Sequence, residues 1–305
     1  MKKIILIMAL LLYFNVISAY ERNTHQYVVR QAYELVKSFY GADIPILKQH
    51  LGSNEIGAGI FEPGNLLVIG AAREDIEDII YGYEGIFQQY VTATHFWDPD
   101  RGDGSHFCTQ PDNTCFENAY QKALKLIYGG PIIWSYTESK PNPYYLSCGA
   151  PGVIVGLKFR FNDIIDFYKT GYVQILAVRN VAGYYDYCSS PYTTYFSQEL
   201  REKITWEILG RVCHLLADVS VPAHSHNDQH DPYFGGGYDT YEQYMENNNN
   251  YMQWNYSHGI AQGGLINVIN KTNPIFYSTA QVSNHFPSDH NPGNNTNGIN
   301  DAFSN

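Results

Sequence analysis

Basic residues are scarce in this 305-residue chain. Lysine and arginine number 19 against 30 aspartates and glutamates, so the formal net charge is −11. A protein that holds DNA or RNA mainly by charge needs a basic surface, and no long basic stretch offsets this deficit. Charged residues make up only 16% of the chain, whereas 44% is hydrophobic and 27 residues are tyrosine. This composition excludes a disordered chain.

Long apolar runs are also missing, with one exception at the amino terminus. No later run reaches about 18 apolar residues, which excludes a polytopic membrane protein. At the start, two lysines precede an apolar run from Ile4 to Phe14, and Ala19 supplies a small residue for cleavage. This pattern predicts a signal peptide over residues 1–19 and a secreted or periplasmic protein that begins at Tyr20. The alternative is an uncleaved anchor, for which the run is short.

Cysteines are few, with five in the chain. An exported protein can form disulfide bonds, so their pairing has to be considered. Cys108 and Cys115 bracket a short polar loop, so we expect them to form a disulfide. Cys148 and Cys188 are a plausible second pair. Cys213 lies in a strongly apolar segment and is expected to be a buried free thiol. The spacing alone leaves the pairing open.

Strand-type alternation of apolar and polar residues is scarce, and this predicts an all-α fold. We expect a single compact multi-helix domain over residues 20–270, followed by a tail rich in Asn, Ser and Pro over 271–305. Residues 131–151, which are rich in proline and tyrosine, are expected to be irregular. The main predicted helices cover residues 23–39, 117–128, 157–182 and 196–219.

The strongest chemical signal lies at the end of the predicted helix over residues 196–219. His214 and Asp218 stand at positions i and i+4, so their side chains project from one helix face. Such a pair alone is usually a surface ion pair. Here apolar residues flank both positions, and an unpaired charge there is costly. His224 and a loop with further ligand-type residues, among them His226, His230 and Glu242, follow. Together they predict a metal cluster, most plausibly zinc.

Three other segments carry candidate ligands. His95 lies among aromatic residues in the segment 94–100, where a single histidine is more often packed than ligating. Asp75 belongs to the acidic segment 71–78, which by itself is typical of a solvated helix face. His25 lies five residues after Tyr20, whose α-amino group would become available as a zinc ligand after cleavage.

These segments together resemble the zinc-dependent phospholipase C family and its relatives, the fungal-type single-strand-specific nucleases. The pattern His-x3-Asp-x5-His, with a glutamate eighteen residues further on, is matched by His214, Asp218, His224 and Glu242. The segment His95–Asp100 resembles the phospholipase branch. The spacing of Tyr20 and His25 resembles the nuclease branch, which starts with tryptophan.

The resemblance implies an all-helical fold that holds two to three zinc ions in a cleft. It implies a first zinc site formed by Asp75, His95, His214 and Asp218, with Asp78 one turn away as a rival to Asp75. A second site would use the amino group and carbonyl of Tyr20, the ring of His25, and Asp218 as a bridge. A third would use His224 and Glu242. The family has a histidine where this chain has Tyr238, so either His230 (less favoured, His226) substitutes or the third site is altered.

The implied function is a secreted zinc-dependent phosphodiester hydrolase. Paired metals suit the hydrolysis of a phosphodiester, and Asp75 is the candidate general base. A phospholipase C would meet its phospholipid transiently at a membrane surface, as a monomer, and Phe96 and Trp97 would either line the cleft or pack in the core. The alternatives are a single-strand-specific nuclease acting as a 3′-nucleotidase, and a non-catalytic secreted zinc-binding protein.

Overall fold

The computed structural model describes residues 20–51, 66–82, 91–104, 106–108, 115–135, 154–180 and 185–225, and positions 276, 279, 280 and 283. The predicted signal peptide over 1–19 lies outside these residues. Within them, no helix combines the length and the apolarity needed to cross a membrane. Of the predicted tail, Phe276 and Ala280 are buried in the main hydrophobic core.

Seven α-helices are present in the described part of the chain. They are α1 (Tyr20–Tyr40), α2 (Pro45–Leu51), α3 (Leu66–Arg73), α4 (Ala119–Tyr128), α5 (Ile164–Thr170), α6 (Gln198–Asp218) and α7 (Pro222–Ser225). Two short 3-10 turns cover Ala93–His95 and Pro99–Arg101. Helix α4 begins after Asn118, whose side chain accepts a hydrogen bond from the Gln121 backbone amide, and ends at Gly129 in the left-handed conformation.

Two antiparallel sheets accompany the helices. A small one pairs β1 (His106–Cys108) with β2 (Cys115–Glu117) and places Cys108 opposite Cys115. A larger one has the order β3 (Ile132–Ser135), β4 (Ile154–Arg160), β5 (Tyr172–Asn180) and β6 (Tyr185–Tyr195). Cys115 and Cys188 each belong to a disulfide bond, and Cys213 is free. The pairing stays a prediction, because Cys148 and the side chain of Cys108 lie outside the described residues.

The prediction of an all-α fold is wrong, because this four-stranded sheet makes the fold mixed. The expected helix over 157–182 is instead β4, α5 and β5. Gly171 ends α5 with a φ of 72°, a left-handed conformation that favours glycine and breaks a continuous helix. After it, Val173 and Ile175 are buried while Tyr172 and Gln174 are partly exposed, which is the period of a strand. Part of the segment expected to be irregular, 131–151, forms β3.

Helix α6 lies between two hydrophobic clusters. On one side, the sheet and α4 contribute Phe159, Ile175 and Leu126 to the main core, and α6 contributes Ile204 and Ile208. On the other side, α1 and α3 form a second cluster with α6 through Val29, Val68 and Trp206. The carboxyl-terminal end of α6 therefore has a fixed position relative to both α1 and α3.

Candidate metal centre

Six predicted ligands are buried, and three helices and two turns supply them. His25 lies on α1, Asp75 in the turn after α3, and His95 at the end of the first 3-10 turn. The remaining three are on the last two described helices, His214 and Asp218 on α6 and His224 on α7. The acidic segment 71–78 is thus not a solvated helix face, since Glu74, Asp75 and Asp78 are all buried.

Four potential ligand atoms converge, and one of them is Nε2 of His214. This atom lies 3.2 Å from Asp75 Oδ1, 3.0 Å from Asp218 Oδ2 and 3.3 Å from His95 Nδ1. His95 Nδ1 in turn lies 3.0 Å from Asp218 Oδ2 and 3.7 Å from Asp75 Oδ1. We name these four residues the first donor group. Asp75, His95 and His214 can hold a metal ion together.

A second donor group shares two of these residues. The Oδ1 atom of Asp218 lies 3.2 Å from His25 Nε2, and the ring of His25 stacks on that of His214 with the centroids 3.7 Å apart. His25, His214 and Asp218 can also hold a metal ion. Asp218 therefore offers one carboxylate oxygen to each group, which is the arrangement of a bridging ligand.

A backbone hydrogen bond sets the orientation of His214. Its Nδ1 atom lies 2.6 Å from the carbonyl oxygen of Ala71. A carbonyl only accepts hydrogen bonds, so Nδ1 carries the proton and donates. In the neutral ring, Nε2 then carries a lone pair that faces the first donor group. A metal-ligating histidine commonly donates its other ring nitrogen in this way.

Two glycines allow α3 and α6 to pack closely against each other. A Cβ atom on Gly70 would overlap the carbonyl oxygen of Glu207, and one on Gly210 would overlap the carbonyl oxygen of Leu67. The helices thus cross with their backbones in contact. This crossing lies one turn before both Asp75 and His214, and it brings Ala71 within reach of the His214 ring.

Burial and neighbouring charges shift the pKa values of these groups in opposite directions. Burial acts to raise the pKa of Asp218, but the neighbouring imidazoles, His214 first, hold that pKa well below its usual range. The pKa of Asp75 is lowered against the effect of burial in the same way. Burial acts to lower the pKa of His214, and the two carboxylates raise it well above its ordinary value. The site therefore keeps two carboxylates ionised and favours positive charge between them.

A buried ionic network, which the sequence analysis missed, lies behind the first donor group. Glu74 contacts Lys122 with Oε1 and accepts a hydrogen bond of 2.8 Å from Arg211 with Oε2. Lys122 also donates to Asp78 (2.7 Å) and to Thr94 (2.8 Å). In the sequence, such a network is indicated by a charged residue among apolar neighbours, as with Arg211 in the middle of α6.

Asp78 belongs to this network and not to the donor groups. Its Oδ1 atom accepts from the backbone amides of Ile80 and Tyr81, and its Oδ2 atom accepts from Lys122 and Thr94. The structure thus separates the two rivals for the first site, because Asp75 faces the histidines and Asp78 faces Lys122.

The remaining predicted residues have different outcomes. His224 lies beside the first group, since its Nδ1 atom is 3.2 Å from the His95 carbonyl and its ring stacks on Phe96. Trp97 packs against Tyr120 in the main core, which is the second of the two positions expected for it, in the core and not along the cleft. Of Tyr20 only the backbone is described, as the first residue of α1. Glu242, His230, His226 and Tyr238 lie outside the described residues, so the third zinc site stays a prediction.

Comparison of the chain with protein-family models and with curated proteins gives no match. The function must therefore be inferred from the residues of the site.

Proposed function

We propose that this protein is a secreted zinc-dependent phosphodiester hydrolase, and that its activity is that of a phospholipase C. The observation that carries the proposal is the position of Asp218. Its two carboxylate oxygens face separate donor groups, with His95 and His214 at one and His25 at the other. A buried carboxylate in that position is the expected link between two adjacent cations, and paired cations suit phosphodiester hydrolysis.

The donor atoms and their spacing suit zinc. Imidazole nitrogen and carboxylate oxygen are ordinary zinc ligands, and at about 2.0–2.1 Å from the ion, tetrahedral ligands lie about 3.3 Å apart. The contacts within the first donor group range from 3.0 to 3.7 Å. The site is also buried and contains two ionised carboxylates, which a divalent cation would neutralise.

The mixed fold does not separate the residues on which the resemblance depends. The described ligands lie on α1, α6 and α7, in the turn after α3 and in the 3-10 turn Ala93–His95, whereas the sheet comes between α4 and α6 in the chain. The sheet packs against α6 through the main core. The sheet and the helices α1 and α3 thus pack on different sides of α6, and this supports the proposal because the described ligands stay together.

Each residue then has a distinct task. Asp75, His95, His214 and Asp218 would hold one zinc ion, and His25, with Asp218 as the bridge, would hold another. When bound, the ions supply positive charge to the phosphoryl oxygens and activate water. Asp75 is the candidate general base, because a carboxylate that binds with one oxygen can accept a proton on the other. The hydrogen bond to Ala71 keeps His214 in the tautomer that this set requires.

The test offers two substrates to the zinc-loaded, processed protein. Phosphatidylcholine vesicles and single-stranded RNA are incubated in parallel, each with and without a chelator, and zinc content is measured by mass spectrometry. We expect chelator-sensitive release of diacylglycerol and intact RNA. Cleavage of RNA with intact lipid would assign a nuclease. Bound zinc with neither activity would leave a non-catalytic zinc-binding protein, and a protein that binds no zinc would overturn the proposal.

A further inference from the structure

Three separate segments supply the first donor group, and each has a member of the buried ionic network beside its ligand. Glu74 immediately precedes Asp75, Thr94 immediately precedes His95, and Arg211 lies three residues before His214 on α6. Glu74, Lys122 and Arg211 are completely buried. A buried charge is costly, so a network of this kind needs a reason beyond stability.

Glu74 is the centre of the network because its two oxygens point to different segments. Its Oε1 atom contacts Lys122 on α4, and Lys122 reaches on to Thr94 in the turn that carries His95. Its Oε2 atom accepts from Arg211 on α6, the helix that carries His214 and Asp218. One side chain thereby connects all three segments of the first donor group.

Glu74 also faces the outer side of a ligand. His95 directs Nδ1 at the donor group, and its other nitrogen, Nε2, lies 3.9 Å from Glu74 Oε1. That nitrogen has no hydrogen-bond partner among the described residues. This separation is longer than a hydrogen bond, so Glu74 faces the outer nitrogen of His95 with its negative charge and makes no hydrogen bond to it. The whole network contains three cations and four carboxylates, so its net charge is negative. The cations are Arg73, Lys122 and Arg211, and the carboxylates are Glu74, Glu77, Asp78 and Glu207.

We propose that Glu74 is a positioning residue for the metal centre. Through Lys122 and Arg211 it holds the Asp75 turn, the His95 turn and α6 in the relative positions that the first donor group requires. This inference rests on the proposed function insofar as the donor group must bind a cation.

Glu74→Gln is the test and Glu207→Gln is its matched control. Both glutamates are buried and contact Arg211, at 2.8 Å and 3.3 Å, but Glu207 adjoins no ligand and pairs instead with Arg73. Affinity for Zn²⁺ is measured by competition with a chromophoric chelator, and the visible spectrum of the Co²⁺ form reports the coordination. Unfolding of the metal-free protein is followed in parallel.

We expect Glu74→Gln to lower Zn²⁺ affinity by about 10–100-fold and to change the Co²⁺ spectrum. Glu207→Gln should lower the stability of the metal-free protein while keeping both the affinity and the spectrum. Equal losses of affinity in the two variants, or an unchanged affinity in Glu74→Gln, would overturn the inference and reduce the network to a structural role. Wild-type protein that binds neither ion would overturn the proposed function as well, so the two failures are distinguishable.

A milder variant covers the case in which Glu74→Gln does not fold. Thr94→Val removes one hydroxyl that accepts from Lys122 at 2.8 Å and donates to Asp78 at 3.1 Å, and it keeps the volume of the side chain. We expect a smaller loss of Zn²⁺ affinity in the same direction. Wild-type affinity and an unchanged Co²⁺ spectrum in a folded Thr94→Val protein would contradict the link between the network and His95.

Discussion

The sheet and the helices around the candidate metal centre bury different kinds of side chain. Among the described residues from 132 to 196, which we name the sheet region, every buried side chain is apolar, as with Phe159, Val173 and Ile175. The helical region comprises α1–α4, α6, α7 and the described turns between α3 and α4. Among the described residues, nearly all of the buried charged and polar side chains belong to it, among them Glu74, Lys122 and Arg211.

The difference indicates a division of tasks. Apolar burial stabilises a fold by about 25 cal/mol per Å², whereas a buried ion pair adds little net stability or none. Helix α6 belongs to both regions, since Ile204 and Ile208 pack on the main core and His214 and Asp218 face the donor groups. The sheet region thus stabilises one side of α6, whereas the other side of this helix carries buried charged groups that are costly to desolvate. Substitutions in the two regions should then have separable effects.

The largest effect is expected for Asp218→Ala. Loss of the carboxylate removes a donor from both groups, so we expect the loss of at least one zinc ion per molecule and a fall in phosphodiesterase activity of more than about 100-fold. Zinc content and initial rates check this. Asp186→Ala removes a carboxylate from β6 and should leave both unchanged. Normal turnover by Asp218→Ala would remove the basis for assigning the site.

The next effect concerns stability in the sheet region. Phe159 is fully buried in β4, and its ring packs edge-on against Phe196 with the centroids 5.0 Å apart. Phe159→Ala leaves a cavity, and we expect it to lower the free energy of unfolding by about 3–5 kcal/mol. Ile165→Ala, at an exposed apolar position of α5, is the control and should cost little. Urea denaturation gives both values.

The folded fraction of Phe159→Ala should bind Zn²⁺ as the wild type does, because the ring of Phe159 packs on Phe167 and Phe196 within the sheet region. If its affinity fell together with its stability, the proposed separation of the two regions would be wrong.

A smaller effect is expected where α3 and α6 cross. In Gly70→Ala the added methyl group meets the carbonyl of Glu207, so the helices must move apart. We expect a loss of about 1–3 kcal/mol in the free energy of unfolding, the usual range for overpacking. Weaker Zn²⁺ binding should accompany it, because Ala71 and His214 would separate. Gly104→Ala is the control, since an added Cβ there meets no atom within 4 Å. A Gly70→Ala protein with wild-type stability would contradict the tight crossing.

The parts of the molecule that depend on local spacing were predictable from the sequence. His214 and Asp218 share a helix face through their i, i+4 spacing, and the structure brings them together with the more distant His25, Asp75 and His95. The partners within the ionic network were not predictable, since Arg211 and Glu74 are 137 residues apart in the chain. The pairing of β4 with β5 also depends on tertiary contacts. The apolar positions of 157–182 are compatible with a helix, and only Gly171 and the alternation of apolar and polar residues after it indicate a strand.

The smallest effect separates the two regions by their response to acid. No histidine lies between residues 107 and 213 of the chain, so titration of histidine cannot destabilise the sheet region directly. In the helical region, His50 on α2 stacks on Trp206 of α6 with the centroids 4.5 Å apart. Burial lowers the pKa of His50, against the weaker opposite effect of Glu202. The unfolded chain therefore takes up this proton more readily than the folded one.

Stability from His50 is consequently present above the unfolded-state pKa of about 6.5 and is lost as the pH falls below it. His50→Phe keeps a ring for stacking and cannot titrate, so its free energy of unfolding should fall less steeply than that of the wild type between pH 7 and pH 5. Urea denaturation of both metal-free proteins across this range measures the difference. If the two curves ran parallel, the ring of His50 would have the same proton affinity in the folded and unfolded chains, which would contradict the role given to its burial.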